Sequence, residues 1–144
     1  MEKSIIAKKC GELLDAGYHC SEAMLVGIGG LIYPLNPQTI KMATGFAGGI
    51  GSTKEGLCGA LTGGVMVMGG LYGRTGPKVN DEKCQQLCAE FQRRFQEEFS
   101  CVRCTELKVK WVGKPGQERC VQLVERAARI LLEVLEWDGG ADAA

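Results

Sequence analysis

The chain has 144 residues, which is enough for one domain with a substantial core, and its 17 basic residues equal its 17 acidic residues. This balance leaves no basic tail or patch for nucleic acid and no polybasic segment for anionic lipid. The N-terminus lacks the apolar run of a signal peptide, so we expect a cytoplasmic protein. In that setting eight cysteines indicate metal ligation or redox chemistry more often than disulfides.

Three helices are predicted in the first third of the chain from apolar periodicity and its end signals. The first covers residues 3–16, and the second begins near Cys20 and fades at the glycines of 27–30. The third follows the Asn-Pro pair at 36–37, an N-cap with proline in the first turn, and ends at Gly45.

The glycine-rich centre of the chain is predicted as a loop followed by a helix. Residues 45–51 are the loop, and they match neither a Walker loop nor a dinucleotide-binding fingerprint. Ser52 and Glu55 fit a capping box, which predicts a helix that starts there, carries Cys58 and runs to about Leu71.

This central helix has no charged residue between Glu55 and Arg74, so a membrane span has to be weighed. Its glycine content makes it a poor span, and no membrane insertion is expected. Since glycine costs a helix about 1 kcal/mol relative to alanine, several of them need a reason. The spacing of Gly59 and Gly63 favours a face where another backbone comes close, either within the chain or in a homodimer.

The C-terminal half is predicted to be helical as well. Asn80 caps a helix over 81–99, a short helical piece follows Cys104, and the last helix covers about 117–136. With no alternating strand pattern, the prediction is an all-α, single-domain bundle of about five to six helices around a glycine-rich central helix. The domain is placed at 1–137, and 138–144 is expected to be a frayed tail.

Two groupings of cysteines could carry chemistry. The local one pairs Cys84 and Cys88 with Cys101 and Cys104, at a spacing that suits zinc or a cluster. Because Cys84 and Cys88 fall on the same helix face as a run of phenylalanines, a core role explains them equally well. The roles of these extra cysteines and of Cys10, on the apolar face of the first helix, are left open.

The second grouping is dispersed and contains Cys20, Cys58, Cys104 and Cys120. Each lies early in a predicted helix, where backbone N–H groups and the helix dipole favour thiolate. Four thiols gathered from four helices also need small neighbours, and we expect these to be Gly59, Ala60 and Gly63.

The chain resembles the C-GCAxxG-C-C family of small redox-active proteins, whose hallmark is a CGAxxG motif with four placed cysteines. Residues 58–63 read CGALTG and match the motif letter for letter. The segments that resemble the family's other cysteine segments and its glycine loop are 17–23, 46–51, 104–107 and 120–125. The resemblance covers nearly the whole chain and implies that Cys20, Cys58, Cys104 and Cys120 form the redox or metal site.

The family is also related to the split-Soret cytochromes, which are associated with haem and an iron–sulfur centre. This chain has no Cys-x-x-Cys-His sequence, because Thr105 follows Cys104, so covalent c-type haem is not expected. The leading hypothesis is an iron–sulfur cluster on the four cysteines that moves single electrons to an unidentified redox partner protein. Whether this electron carrier is also an oxidoreductase enzyme stays open.

Two alternatives remain. The first is metal-free thiol–disulfide exchange, with Cys58 as the attacking thiolate and Cys20, Cys104 and Cys120 as its partners. The second is a structural zinc ion, or simply core cysteines, in a partner-binding module without enzymatic activity. Thiolate tetrads suit zinc and iron–sulfur clusters alike, so the ligand type does not separate these hypotheses.

Overall fold

The computed structural model describes residues 1–112 and 116–137. Its helices, in chain order, are α1 Lys3–Asp15, α2 Cys20–Met24, α3 Gly30–Ile32, α4 Pro37–Thr44, α5 Gly59–Tyr72, α6 Glu82–Phe99, α7 Cys104–Leu107 and α8 Gly116–Val134. Two π-helical segments, Leu25–Gly29 and Lys108–Val112, follow α2 and α7. The all-α prediction is confirmed, since the described residues contain no strand, and one isolated antiparallel bridge joins Leu57 to Arg103.

The core forms where α5 meets α6 and where α8 lies along α1. The apolar stripe of α6 supplies Phe91, Phe95 and Phe99, all at most 1% exposed, and each such burial stabilises the fold by about 1.5–3 kcal/mol. A Cβ on Gly64 of α5 would lie 2.4 Å from the Phe91 ring, so the glycine lets the two helices approach closely.

The second helix extends further than the sequence predicts. It was expected to fade at residues 27–30, but it passes through the π-helical segment and continues to Ile32. Gly27 contacts Cys10 of α1, and a Cβ there would lie 2.5 Å from the Cys10 sulfur. This close packing of the segment on α1 explains why its glycines do not end the helix. Cys10 is fully buried, as a core cysteine should be.

The predicted start of the central helix is wrong. Helix α5 begins at Gly59, with Cys58 as its N-cap, and the predicted capping box lies in the preceding loop. Ser52 and Lys54 have φ values of 59° and 66°, which are left-handed and incompatible with a helix. The loop is hydrogen-bonded to itself instead; for example, the Lys54 N–H donates to the Gly48 carbonyl at 2.7 Å.

Two asparagines act at helix starts. Asn36 caps α4 as predicted, and its side-chain oxygen accepts a hydrogen bond from the Thr39 N–H at 2.9 Å. Helix α6 begins one residue later than predicted, so Asp81 rather than Asn80 occupies its N-cap position. The Asn80 side chain still accepts from the Glu82 N–H at 2.8 Å.

The last helix, α8 Gly116–Val134, lies close to its predicted range of 117–136. The predicted tail at 138–144 falls outside the described residues. Within residues 1–112 and 116–137, none of the helices has both the length and the apolar character needed to cross a bilayer.

Candidate functional site

A short antiparallel backbone pairing holds Cys58 and Cys104 side by side. The Cys58 N–H donates to the Val102 carbonyl at 2.8 Å, and the Cys104 N–H donates to the Gly56 carbonyl at 2.9 Å. Both thiols are buried, with Cys58 6% exposed and Cys104 7% exposed. The start of α5 and the start of α7 therefore share one backbone connection, although the two cysteines are 46 positions apart in the sequence.

The glycine-containing loop before α5 is fixed to α7 by further hydrogen bonds. The Lys54 carbonyl accepts from the Thr105 N–H at 2.8 Å and also from the Thr105 hydroxyl. The Arg103 guanidinium donates from Nε to the Glu55 carbonyl at 2.9 Å. These bonds position the loop beside the thiol of Cys104.

Gly49 allows Cys104 to approach this loop. A Cβ at Gly49 would lie 2.7 Å from the Cys104 Cβ and 2.8 Å from the Lys54 Cα, closer than real Cβ contacts. The residue also has a φ of 73°, which L-residues with side chains rarely adopt. Any side chain at this position would push Cys104 away from the loop.

Cys20 is brought to the site by the glycines of α5. A Cβ on Gly63 would lie 2.6 Å from the Ser21 carbonyl oxygen, and one on Gly59 would lie 3.2 Å from the Cys20 Cβ. The predicted close-packing face is therefore found, and its partner is α2 of the same chain. Of the three small residues predicted to give clearance, Gly59 lines the cavity, Gly63 packs on Ser21 and Ala60 is buried in the core, and the clearance role itself stays a prediction.

All four predicted cysteines line one cavity of about 330 Å³: Cys20, Cys58, Cys104 and Cys120. Gly48 and Gly59 form part of its wall, with apolar side chains such as Leu107 and Leu123. Cys20 and Cys120 are half-buried, so the cavity is nearest to solvent on their side. A larger groove of about 630 Å³ near α1 and α8 is lined by charged side chains and lies elsewhere.

Polar and cationic residues surround the thiols. Lys54, Lys108, His19 and Ser52 all line the same cavity. The positive charge of Lys108 lowers the pKa of both half-buried thiols, although burial outweighs it. His19 is exposed at the start of α2, and its backbone N–H donates to the Glu22 carboxylate at 2.9 Å.

Burial raises the pKa of three of these thiols, Cys20, Cys58 and Cys120, and so favours their protonated form. Desolvation raises the pKa of Cys58 to about 12, and the backbone N–H groups of Ala60 and Leu61 offset only part of this effect. Burial also raises the pKa of Cys20 and Cys120, and the neighbouring cysteines raise both further because adjacent thiolates repel one another. The helix start at Cys58 therefore does not produce the free thiolate that its position suggests.

The cavity does not present a ready-made site for one metal ion. In the part of the chain that the structure describes, no three His, Cys, Asp or Glu side chains are placed to hold a single metal ion. The local grouping of four cysteines is also broken up. Cys84 and Cys88 lie where α6 faces α5. Cys101 is buried and its S–H donates to the Phe99 carbonyl, whereas Cys104 lies in the cavity.

Lys108 is a site residue that the sequence reasoning missed. It lies four residues after Cys104, one turn further along, and this spacing is the signal that could have identified it. Lys54 also lines the cavity, whereas the predicted helix start at Ser52 places it in a first helical turn. Its place on the cavity wall depends on the left-handed loop, which the capping-box interpretation concealed.

Comparison with known proteins gives one match. Residues 18–134 match the family model described as "Putative redox-active protein (C_GCAxxG_C_C)". No curated protein and no solved structure matched the chain significantly. Because the match covers most of the chain, this protein belongs to the C_GCAxxG_C_C family.

Proposed function

We propose that this member of the C_GCAxxG_C_C family carries electrons by means of an iron–sulfur cluster bound to Cys20, Cys58, Cys104 and Cys120. The observation that supports this most is that the four thiols, which come from four separate helices or their caps, line one cavity. Four cysteine thiolates are the usual ligand set of such clusters. The bound cluster would supply a reversible one-electron couple.

The residues present fit such a group. Four cysteines offer their sulfur atoms as ligands to the cavity of about 330 Å³. Gly48 and Gly59 leave part of its wall without side chains. A Cβ at Gly59 would lie 3.1 Å from the Ser21 backbone nitrogen and 3.2 Å from the Cys20 Cβ, so a side chain there would crowd Cys20.

A single zinc ion fits less well. Tetrahedral zinc with Zn–S bonds of about 2.3 Å brings its four sulfurs to within about 3.8 Å of one another. Within the described residues no set of three ligands has such an arrangement. A cluster places several iron and sulfide atoms between the cysteines, and this suits thiols that line a cavity without a ready-made site for one ion.

Thiol–disulfide exchange also fits less well. An attacking cysteine needs a useful fraction of thiolate near neutral pH. Burial instead raises the pKa of Cys58 to about 12, so this thiol stays protonated unless a metal cation displaces its proton.

The remaining side chains of the site have defined tasks. Lys54 and Lys108 offset the negative charge of four thiolates, and Leu107 and Leu123 keep water from the interior of the cavity. Electrons would pass to and from a partner protein on the side of Cys20 and Cys120, where the thiols are half-buried rather than buried.

The test is anaerobic reconstitution with ferrous iron and sulfide, followed by visible absorption and iron and acid-labile sulfide analysis. The parent should become brown and bind iron and sulfide in equal amounts. Cys58→Ser and Cys104→Ser should lose at least about tenfold of this loading. Cys84→Ser is the matched control, because Cys84 is half-buried but lies outside the cavity, and it should load like the parent.

Circular dichroism of the metal-free variants establishes whether the near-isosteric serine variants remain folded. Loading of folded Cys58→Ser and Cys104→Ser to the parent's level would contradict the site. A colourless parent that binds one zinc ion, or that forms a disulfide between cavity cysteines on mild oxidation, would support the alternatives instead.

A further inference from the structure

A second pair of thiols lies outside the cavity. Cys84 and Cys88 are one helical turn apart on α6, and both are half-buried where α6 faces α5. The Cys84 sulfur lies 4.0 Å from the Met68 carbonyl oxygen of α5. The two thiols interact with each other, and this interaction adds to burial in raising the pKa of Cys88 to about 11.

The groove beside Cys88 is lined by uncharged residues. Cys88 lines a groove of about 450 Å³ between α5 and α6, together with Val65 and Met66 of α5 and Gln85 and Gln92 of α6. None of the residues that line this groove is charged, and none also lines the four-cysteine cavity. Met66 adds a thioether sulfur, which is a soft ligand like the thiols.

The spacing of the pair favours a bridging ion over a disulfide. Residues four apart on a helix have Cβ atoms about 5–6 Å apart. A disulfide requires about 3.5–4.5 Å between its Cβ atoms, so this bond would distort α6. An ion bound between the two sulfurs bridges the longer distance through two metal–sulfur bonds, so α6 keeps its helical conformation.

We propose that Cys84 and Cys88 form a separate two-thiol site for one soft monovalent cation of the Cu(I) class. Binding displaces the two S–H protons, and the ion is held in two-sulfur coordination at the edge of the uncharged groove. Zinc is a poor occupant, because it requires four ligands and no third His, Cys, Asp or Glu joins the pair within the described residues.

The test is an anaerobic titration of the metal-free protein with Cu(I) alone, against a coloured Cu(I) chelator as competitor. The four-cysteine cavity also offers thiols to Cu(I), so the decisive quantity is the difference between variants. Cys84→Ser and Cys88→Ser should each bind one equivalent fewer than the parent. Gln86→Ser, on the same turn of α6 but exposed and outside the groove, is the matched control and should keep the parent's stoichiometry.

A second measurement uses the parent alone and does not depend on how the variants fold. With Cu(I) at saturation, Cys84 and Cys88 should resist alkylation by iodoacetamide, and peptide mass spectrometry should show their modification falling at least about tenfold. Equal stoichiometry in the parent and both serine variants, or unprotected alkylation at these two residues, would overturn the proposal.

Discussion

At the scale of single residues, Gly49 determines how closely the loop approaches Cys104. It combines a left-handed backbone with a space that no Cβ can enter, since Cys104 and Lys54 occupy it. Gly51, two residues later, has a similar φ of 62° but open space around it. Substituting each glycine by alanine therefore distinguishes the free-energy cost of the left-handed backbone from the cost of steric overlap.

Gly49→Ala should lower the free energy of unfolding by about 2–4 kcal/mol, because it adds a clash to the left-handed conformation. Gly51→Ala should cost only about 1 kcal/mol, which is the conformational part. Urea denaturation of both variants gives the comparison. Equal losses at the two positions would show that Cys104 does not pack against the loop as described.

Cys10 provides a residue-scale prediction about pH. Burial beside Gly27 raises the pKa of the Cys10 thiol in the folded protein from its ordinary value to about 12. The unfolded chain therefore loses the thiol proton first as pH rises. The stability that this protonated thiol contributes is complete below about pH 8.5 and is lost as pH rises towards 12.

Between pH 8 and pH 10 the metal-free parent should lose about 1–2 kcal/mol more stability than Cys10→Ala, since the variant has no such thiol. Denaturation at several pH values measures the difference. The variant is itself the control for all other titrating groups. Parallel pH profiles for the two proteins would mean that Cys10 ionises as easily when folded as when unfolded.

At the scale of helices, the packing of α5 on α2 sets the distance between Cys20 and Cys58. Gly63 lies against the backbone of Ser21, whose buried hydroxyl in turn donates to the Ala43 carbonyl of α4 at 2.8 Å. The Ser21 backbone cannot move aside as the end of a flexible side chain could. A methyl group at this position must separate the two helices.

Gly63→Ala should therefore destabilise the protein by about 2–4 kcal/mol and reduce iron loading, because it moves Cys20 away from the cavity. Gly69→Ala is the control on the same helix, where a Cβ would meet nothing within 4 Å. It should be neutral or stabilising by up to about 1 kcal/mol. Thermal unfolding and iron analysis test both variants; a stable, fully loaded Gly63→Ala would refute this role.

Apolar periodicity was enough to predict the long helices. The stripes of α1, α6 and α8 gave their ranges to within a few residues, because each helix buries one continuous face. The start of α5 could not be predicted in this way. Ser52 and Glu55 have the letters of a capping box, but hydrogen bonds to α7, over 40 residues away, stabilise a different conformation.

At the scale of the whole molecule, the site depends on contacts between distant parts of the chain. The four cysteines come from α2, the N-cap of α5, α7 and α8, and the loop, the glycine face and the backbone pairing bring them together. The motif and the family resemblance identified which cysteines to consider. Spacing alone contained no information on their convergence, because each connection joins segments far apart in sequence.

The most direct measurement is the iron and acid-labile sulfide content of the whole protein purified without oxygen, together with its visible spectrum. We expect a brown protein with equal amounts of iron and sulfide and a reversible one-electron reduction seen by electron paramagnetic resonance. A colourless protein that contains neither iron nor sulfide after this purification, and that takes up neither on reconstitution, would contradict the cluster at these four cysteines.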